Sequence, residues 1–358
     1  MKYKAPMWLP GGNLQTIWPA LCAKKIAAPE PIYRRERWTA PDGDFVDVDW
    51  LVNAGDTISE LNGSKPIQNP RTAGEIALRD LRAAKSPLLV QFHGLEGSST
   101  SHYALAFADF AREHGLSYAV PHFRGCSGEI NRAPRAYHSG DYQEIDWILK
   151  RFRQLHRGPI VAVGISLGGN ALLRWAQELG AQASDCVSAV AAVSSPIDLQ
   201  AGGRAIGRGF NRLVYTRMFL KTMKPKALRK LDQYPGLFDR QKLMQASDLY
   251  AFDNVFTAPL HGFKDTEDYW RRASAKPHLR QIRIPALVVN ARNDPFVPAS
   301  CLPGPTEVGP YVTLWQPSHG GHVGFAQGRL PGHIRSMPDA VGAWLCQNLQ
   351  LEHDSQNG

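Results

Sequence analysis

Ser166 stands in Gly164-Ile165-Ser166-Leu167-Gly168, directly after the apolar run Ile160 to Val163 and before a helical pattern in Ala171, Leu172, Trp175 and Leu179. A strand that reverses sharply into a helix crowds any side chain two residues before or after the turn. The glycines fit that demand and leave the serine exposed at the bend. Gly180 supplies a C-cap for the helix that follows. The chemistry this suggests is nucleophilic acyl transfer, because a serine hydroxyl held at such a turn can be activated by a neighbouring base.

Activation needs a base to take the proton and an acid to fix the tautomer of that base. In a chain of this kind both should follow the serine, in the order acid then histidine. Asp294, in Asn290-Ala291-Arg292-Asn293-Asp294-Pro295, comes after the apolar run Ala286 to Asn290. His322, in Ser318-His319-Gly320-Gly321-His322-Val323-Gly324-Phe325, comes after the last such run. Each has a rival. His319 could be the base, but the glycine pair before His322 suits a tight loop that turns an imidazole toward the serine. Asp198, in Ser194-Ser195-Pro196-Ile197-Asp198, also ends a strand, with helix capping as its ordinary role. The oxyanion of the tetrahedral intermediate needs two backbone donors. The amide of Leu167, next to the nucleophile, is one, and the amide of Leu95 in His93-Gly94-Leu95-Glu96-Gly97 is the expected other; His93 is expected to brace that loop.

These residues need a frame, and the chain contains one. Tyr33 to Thr39 and Phe45 to Val52 alternate around Pro41-Asp42-Gly43-Asp44 and read as an antiparallel hairpin. Residues 53–86 are polar and read as a surface excursion, with a helix expected over Ala73 to Ala84. Short apolar runs then alternate with helical segments at Leu88 to Phe92, Ser117 to His122, Ile160 to Val163, Val187 to Ser194, Ala286 to Asn290 and Tyr311 to Trp315. That order is an α/β architecture with a doubly wound, mostly parallel sheet, whose ligands bind beyond the carboxyl ends of the strands. The expected organisation is a core over residues 1–198, an inserted helical lid over 199–280, and the rest of the core over 281–358.

Within the insertion, Arg204, Arg208 and Arg212 oppose Ile206, Phe210 and Leu213, which predicts an amphipathic helix over Arg204 to Val214 with a break or a second helix near Tyr215. From Leu199 to Leu231 there are nine Lys or Arg and no Asp or Glu. The plain reading is a solvated surface. The sharper one is a patch facing anionic lipid headgroups, with Phe210, Met218, Phe219 and Met223 lining an acyl pocket.

Composition narrows the alternatives. A net charge of +9 without zinc-finger spacing or RNA-recognition motifs leaves nucleic acid an unsupported partner. Five scattered cysteines without a C-x-x-C pair read as reduced thiols in the cytoplasm, and neither a metal site nor a cofactor motif is evident. No signal-like apolar segment opens the chain, and its longest strongly apolar run, Val187 to Val193, is too short to span a bilayer. The expected location is therefore cytoplasmic, with peripheral contact at the inner membrane face through the basic stretch left open.

The chain resembles the YheT-type branch of the α/β-hydrolases, a family that includes plant embryogenesis-associated proteins and animal lid-bearing lipases. The likeness is carried by Pro10-Gly11-Gly12-Asn13-Leu14-Gln15-Thr16, His93-Gly94-Leu95-Glu96-Gly97-Ser98, Phe123-Arg124-Gly125-Cys126-Ser127-Gly128, Tyr137-His138-Ser139-Gly140, the serine elbow, and Gly320 to Phe325. A further signature runs from Asp253 through Asp268-Tyr269 to Asn293-Asp294, with Trp270 where the family usually has Tyr. The resemblance implies an α/β-hydrolase fold, Ser166, Asp294 and His322 as the charge-relay set, and cofactor-free hydrolysis of carboxylic esters of short to medium acyl chains. It leaves open thioester cleavage, acyl transfer, peptide cleavage or lipid esters with the same residues. A binding protein that keeps the fold without turnover is the alternative of a different class.

Overall fold

A computed structural model describes residues 1–27, 29–52 and 86–356, with side chains in the last helix described through Leu349. The 53–86 excursion and the helix expected over Ala73 to Ala84 lie almost entirely outside the described residues.

Eight strands form one sheet: β1 (Tyr33–Thr39), β2 (Phe45–Leu51), β3 (Leu88–Phe92), β4 (Ser117–Pro121), β5 (Ile160–Ile165), β6 (Ala189–Val193), β7 (Ala286–Val289) and β8 (Val312–Trp315). Their spatial order is β1-β2-β4-β3-β5-β6-β7-β8. From β4 to β8 every pairing is parallel, and only the β1–β2 hairpin joins antiparallel. The inner strands β3 to β7 are apolar except for Gln91 and Ser117, because both of their faces are covered. On β5, Val161, Val163 and Ile165 face one apolar layer while Ile160 and Ala162 face the other, the two-residue period of a strand.

Alternation along β2 predicts a polar outer face, yet all seven of its residues are buried. The cause is cross-strand pairing. Asp47 sits opposite Arg37 and Asp49 opposite Arg35, and each carboxylate accepts from its arginine partner. Ser127 adds a donor to Asp47, and Ser99 and His122 add donors to Asp49. Buried charges persist only with such partners.

Helices cover both faces. Those that position the site are α1 (Gly12–Leu21), α2 (His102–Glu113), α3 (Tyr142–Leu155) and α4 (Leu167–Leu179). Leu172, Leu173 and Trp175 of α4 are wholly buried, and burying each leucine contributes about 1.5–3 kcal/mol. Helix α4 therefore fixes the turn that leads into it. It ends at Gly180, in the left-handed region at φ 55°.

Between β6 and β7 lie α5 (Leu199–Ile206), α6 (Arg217–Gln233), α7 (Arg240–Gln245), α8 (Leu249–Val255), α9 (Thr257–Leu260) and α10 (Thr266–Ala273). The last helix, α11 (Ser336–Gln356), follows β8. The helix predicted over Arg204 to Val214 is broken at Gly207, and of the break or second helix expected near Tyr215 the structure has the second helix, α6 from Arg217. No gap precedes it: a helical turn at Gly209–Asn211 passes through a π-helical turn at Arg212–Thr216 directly into α6. A π turn takes in one extra residue, which absorbs the slip in the apolar pattern without ending the helix. Tyr215 and Thr216 thereby turn inward. Their hydroxyls donate to Asn13 Oδ1 and to the Ile206 carbonyl.

Candidate active site

Strand β5 delivers Ser166 at its carboxyl end. The residue adopts φ 52° and ψ −118°, a conformation disfavoured for a side chain-bearing residue, and its amide donates to the Val193 carbonyl of β6. The surrounding glycines are required by contact. A Cβ on Gly164 would lie 2.5 Å from the Gly168 carbonyl oxygen, and one on Gly168 would lie 2.5 Å from the His93 carbonyl oxygen.

His322 arrives on the loop after β8. Its Nε2 lies 3.0 Å from Ser166 Oγ and its Nδ1 2.9 Å from Asp294 Oδ2. With the ring proton donated from Nδ1 to the carboxylate, Nε2 is left as an acceptor for the serine hydroxyl. Asp294 is held in turn. Its other oxygen accepts from the amides of Phe296 and Val297, and its side chain is closed to solvent. The Phe296 ring packs on the imidazole at 4.2 Å between centroids. The rivals are placed elsewhere. His319 is exposed, and Asp198 caps α5 by accepting from the Ala201 amide.

The loop after β3 faces Ser166 so closely that a Cβ on Gly94 would lie 3.2 Å from the serine Cβ. His93 braces this loop: its Nδ1–H donates to the Gly94 carbonyl, and its Nε2 accepts from the Phe123 amide. Burial pushes its pKa down to about 3, which keeps the ring neutral as that bonding requires. Gly94 N–H donates to the Tyr103 hydroxyl. Among the described residues, no acceptor engages the amide of Leu95 or that of Leu167, so both are available to a ligand.

Sequence periodicity missed a second set of braces. Gln15, on α1, is buried; its Oε1 accepts from the Gly320 amide and from Asn293 Nδ2, and its Nε2 donates to the Leu9 carbonyl. Thr16 Oγ1 accepts from the His322 amide, and Asn293 Oδ1 accepts from the Gly321 amide. On the opposite side Ser194 Oγ accepts from the Val323 amide. Helix α1 thus ties together the loops that carry Asp294 and His322. The clustered Pro10 to Thr16 motif was the one available signal, and it named no role.

A cavity of about 1170 Å³, counting its open mouth, adjoins Ser166 and His322. Phe219 and Met223 of α6 line it, with Leu199, Ile206, Phe252 and Phe256. Phe210 and Met218 lie outside that lining and are half exposed. Deep in the wall, the Trp270 indole donates to Asp253, whose carboxyl burial pushes up to about 6. No group of three or more His, Cys, Asp or Glu suited to a metal ion occurs among the described residues.

Comparison with known proteins gives a consistent result. A family model described as "alpha/beta hydrolase fold" matches residues 87–328. A protein of Escherichia coli (strain K12) named "Putative esterase YheT" is 37% identical over 95% of this chain and 92% of its own length. The phospholipase ABHD3 of Mus musculus is 25% identical over 93% of this chain and 76% of its own length. Among solved structures, Est1E from Butyrivibrio proteoclasticus superposes with a TM-score of 0.50 at 13% identity, covering 90% of this chain and 99% of that one, a likeness of fold.

Proposed function

The chain belongs to the α/β-hydrolase family, as a YheT-like carboxylic ester hydrolase, and on that premise we propose that Ser166, His322 and Asp294 form its catalytic triad. In this reading Ser166 Oγ attacks the ester carbonyl as its proton passes to His322 Nε2, and Asp294 holds the imidazolium in place. The amides of Leu95 and Leu167 receive the oxyanion. Collapse of the tetrahedral species breaks the ester C–O bond, and His322 returns the proton to the departing alcohol. Water, deprotonated by the same imidazole, then attacks the acyl-serine and releases the acid. The observation that carries this reading is the continuous hydrogen-bonded chain from Ser166 through His322 to Asp294, beside two amides that no acceptor engages among the described residues.

The helices between β6 and β7 act in this account as a cap, with Phe219 and Met223 lining the acyl site. Hydrolysis rates for p-nitrophenyl esters of rising chain length, run beside the matching thioesters, test it. An optimum at short to medium acyl chains with esters preferred is expected. A preference for thioesters would change the substrate class.

Gln15 gives a second test, since the account makes it a positioning residue for both triad loops. Gln15→Ala removes a partner from three groups, each unsatisfied buried group costing about 1–3 kcal/mol. The expected result is a fall in kcat of about 10- to 100-fold, as for a small misplacement of reacting groups, measured well below the unfolding midpoint. A wild-type kcat in a folded Gln15→Ala variant would contradict the role.

The surface of the same helices supports contact with an anionic lipid surface. Phe210, Leu213, Val214 and Met218 are 50%, 58%, 36% and 53% exposed. They follow one another at helical spacing on an outward face, accompanied by the exposed Arg208, Arg212, Arg217 and Lys221. Apolar side chains ringed by cations suit the headgroup boundary of an anionic bilayer. Sedimentation with phosphatidylglycerol-containing vesicles should recover the protein, pure phosphatidylcholine vesicles should not, and the Leu213→Asp, Met218→Asp double variant should stay in the supernatant. Equal recovery by both vesicle types, or recovery of that variant, would remove the reading.

A further inference from the structure

Glu96 directly follows Leu95 and is held in the left-handed region at φ 57°, where a side chain-bearing residue needs support. Two supports come from the core. Its amide donates to the Tyr137 hydroxyl at 2.9 Å, and that hydroxyl donates back to Glu96 Oε1 at 3.0 Å. Tyr137 stacks on Phe123, whose amide bonds His93, so the core side of the loop is continuously braced. The third support comes from the segment between β6 and β7. Lys226 of α6 reaches across the cavity and places Nζ 3.0 Å from each oxygen of the Glu96 carboxylate. The Glu96 side chain is only 11% exposed and that of Lys226 27%, so solvent screens this pair less than a surface ion pair. Among the described residues, no other side chain or backbone group of that segment is hydrogen-bonded to the loop from His93 to Ser98.

We propose that Lys226 is a positioning residue which makes the geometry of the oxyanion loop depend on the seating of α6 over the cavity. The proposal rests on the reading of Leu95 as an oxyanion donor. With α6 in place, the ammonium holds the carboxylate, the carboxylate holds the strained backbone at Glu96, and the Leu95 amide beside it is aimed at the reacting carbonyl. With α6 displaced, the carboxylate loses its countercharge at the edge of a mostly apolar cavity and turns toward water. That motion carries the neighbouring peptide units with it. Full assembly of the site is thereby coupled to closure of α6, and a substrate whose acyl chain packs against Phe219 and Met223 on the same helix stabilises the competent loop.

The experiment compares kcat and KM on p-nitrophenyl butyrate for wild type, Lys226→Met, Lys226→Arg, Glu96→Gln and the Glu96→Gln, Lys226→Met double variant. Arg229→Ala, an exposed change on the same helix, serves as control. Oxyanion donors act on the transition state, where a full donor is worth about 10²–10³ in kcat. A partly misaimed one should cost less. Lys226→Met is expected to lower kcat about 10- to 100-fold with KM changed less than about threefold. Lys226→Arg should recover most of the loss, and the double variant should be no worse than the weaker single variant. Wild-type kcat in folded Lys226→Met, or losses that add in the double variant, would overturn the proposal. So would a loss that Lys226→Arg fails to restore. If Lys226→Met does not fold, the isosteric Glu96→Gln decides by the same kcat criterion. Ser166→Ala is run in parallel: its retained activity would sink the triad reading itself, whereas its inactivity beside a fully active Lys226→Met sinks the positioning role alone.

Discussion

Ser166→Ala is expected to abolish ester hydrolysis, lowering kcat by about 10⁴-fold or more, while the protein melts close to the wild-type temperature. The two halves of that expectation have separate physical grounds. Among the described residues the hydroxyl makes one side-chain hydrogen bond, to His322 Nε2, so its removal breaks no buried network there beyond the reacting groups. The turn that presents it is held by the backbone bond to Val193 and by the close packing around Gly164 and Gly168, none of which the substitution touches. His322→Ala should lose a comparable factor, and the double variant should be scarcely worse than either, because nucleophile and base act as one unit. Steady-state rates on p-nitrophenyl butyrate, with thermal melts alongside, check all three. Activity within tenfold of wild type in folded Ser166→Ala would remove the serine from the mechanism.

The second large effect separates two aspartates that the sequence alone leaves in competition. Asp294→Asn keeps the size of the side chain but can turn its amide toward His322, which favours the wrong tautomer and leaves Nε2 protonated and unable to accept from Ser166. A loss of about 10⁴-fold in kcat is expected. Part of the buried hydrogen bonding to the Phe296 and Val297 amides can survive through the remaining carbonyl oxygen, so the fold should persist. Asp198→Ala should behave differently. It removes one N-cap bond to Ala201, worth about 1 kcal/mol of stability, and should leave kcat within a few-fold of wild type. A reversed result, with Asp198 essential and Asp294 dispensable, would reassign the acid.

Much of this architecture is legible in the chain. Apolar runs bounded by turn residues are enough to find β3 to β8, since a strand covered on both faces has no polar alternation to obscure it. Ser166 is readable because the glycines around it answer a packing demand that few other arrangements make. Asp294 and His322 are readable because each lies in the loop that follows a strand, at the same edge of a parallel sheet. What could not be read depends on phase or on long-range pairing. Phe210 and Met218 lie in a segment interrupted at Gly207 and by a π turn at Arg212–Thr216, neither of which a helical wheel anticipates. The burial of Asp47 and Asp49 follows from arginines on the neighbouring strand and a histidine and serines farther along the chain. The bracing by Gln15 and Thr16 joins residues about three hundred positions apart through backbone amides, which leave no trace in side-chain periodicity.

Peptide mapping by mass spectrometry after reaction with a fluorophosphonate probe reads the activated nucleophile itself, because the reagent phosphonylates a serine only where a base has activated it. A single adduct is expected on the peptide containing Ser166, formed by the wild type and absent from His322→Ala. An adduct on another residue, equal labelling of His322→Ala, or no labelling of folded, esterase-active wild type would contradict it.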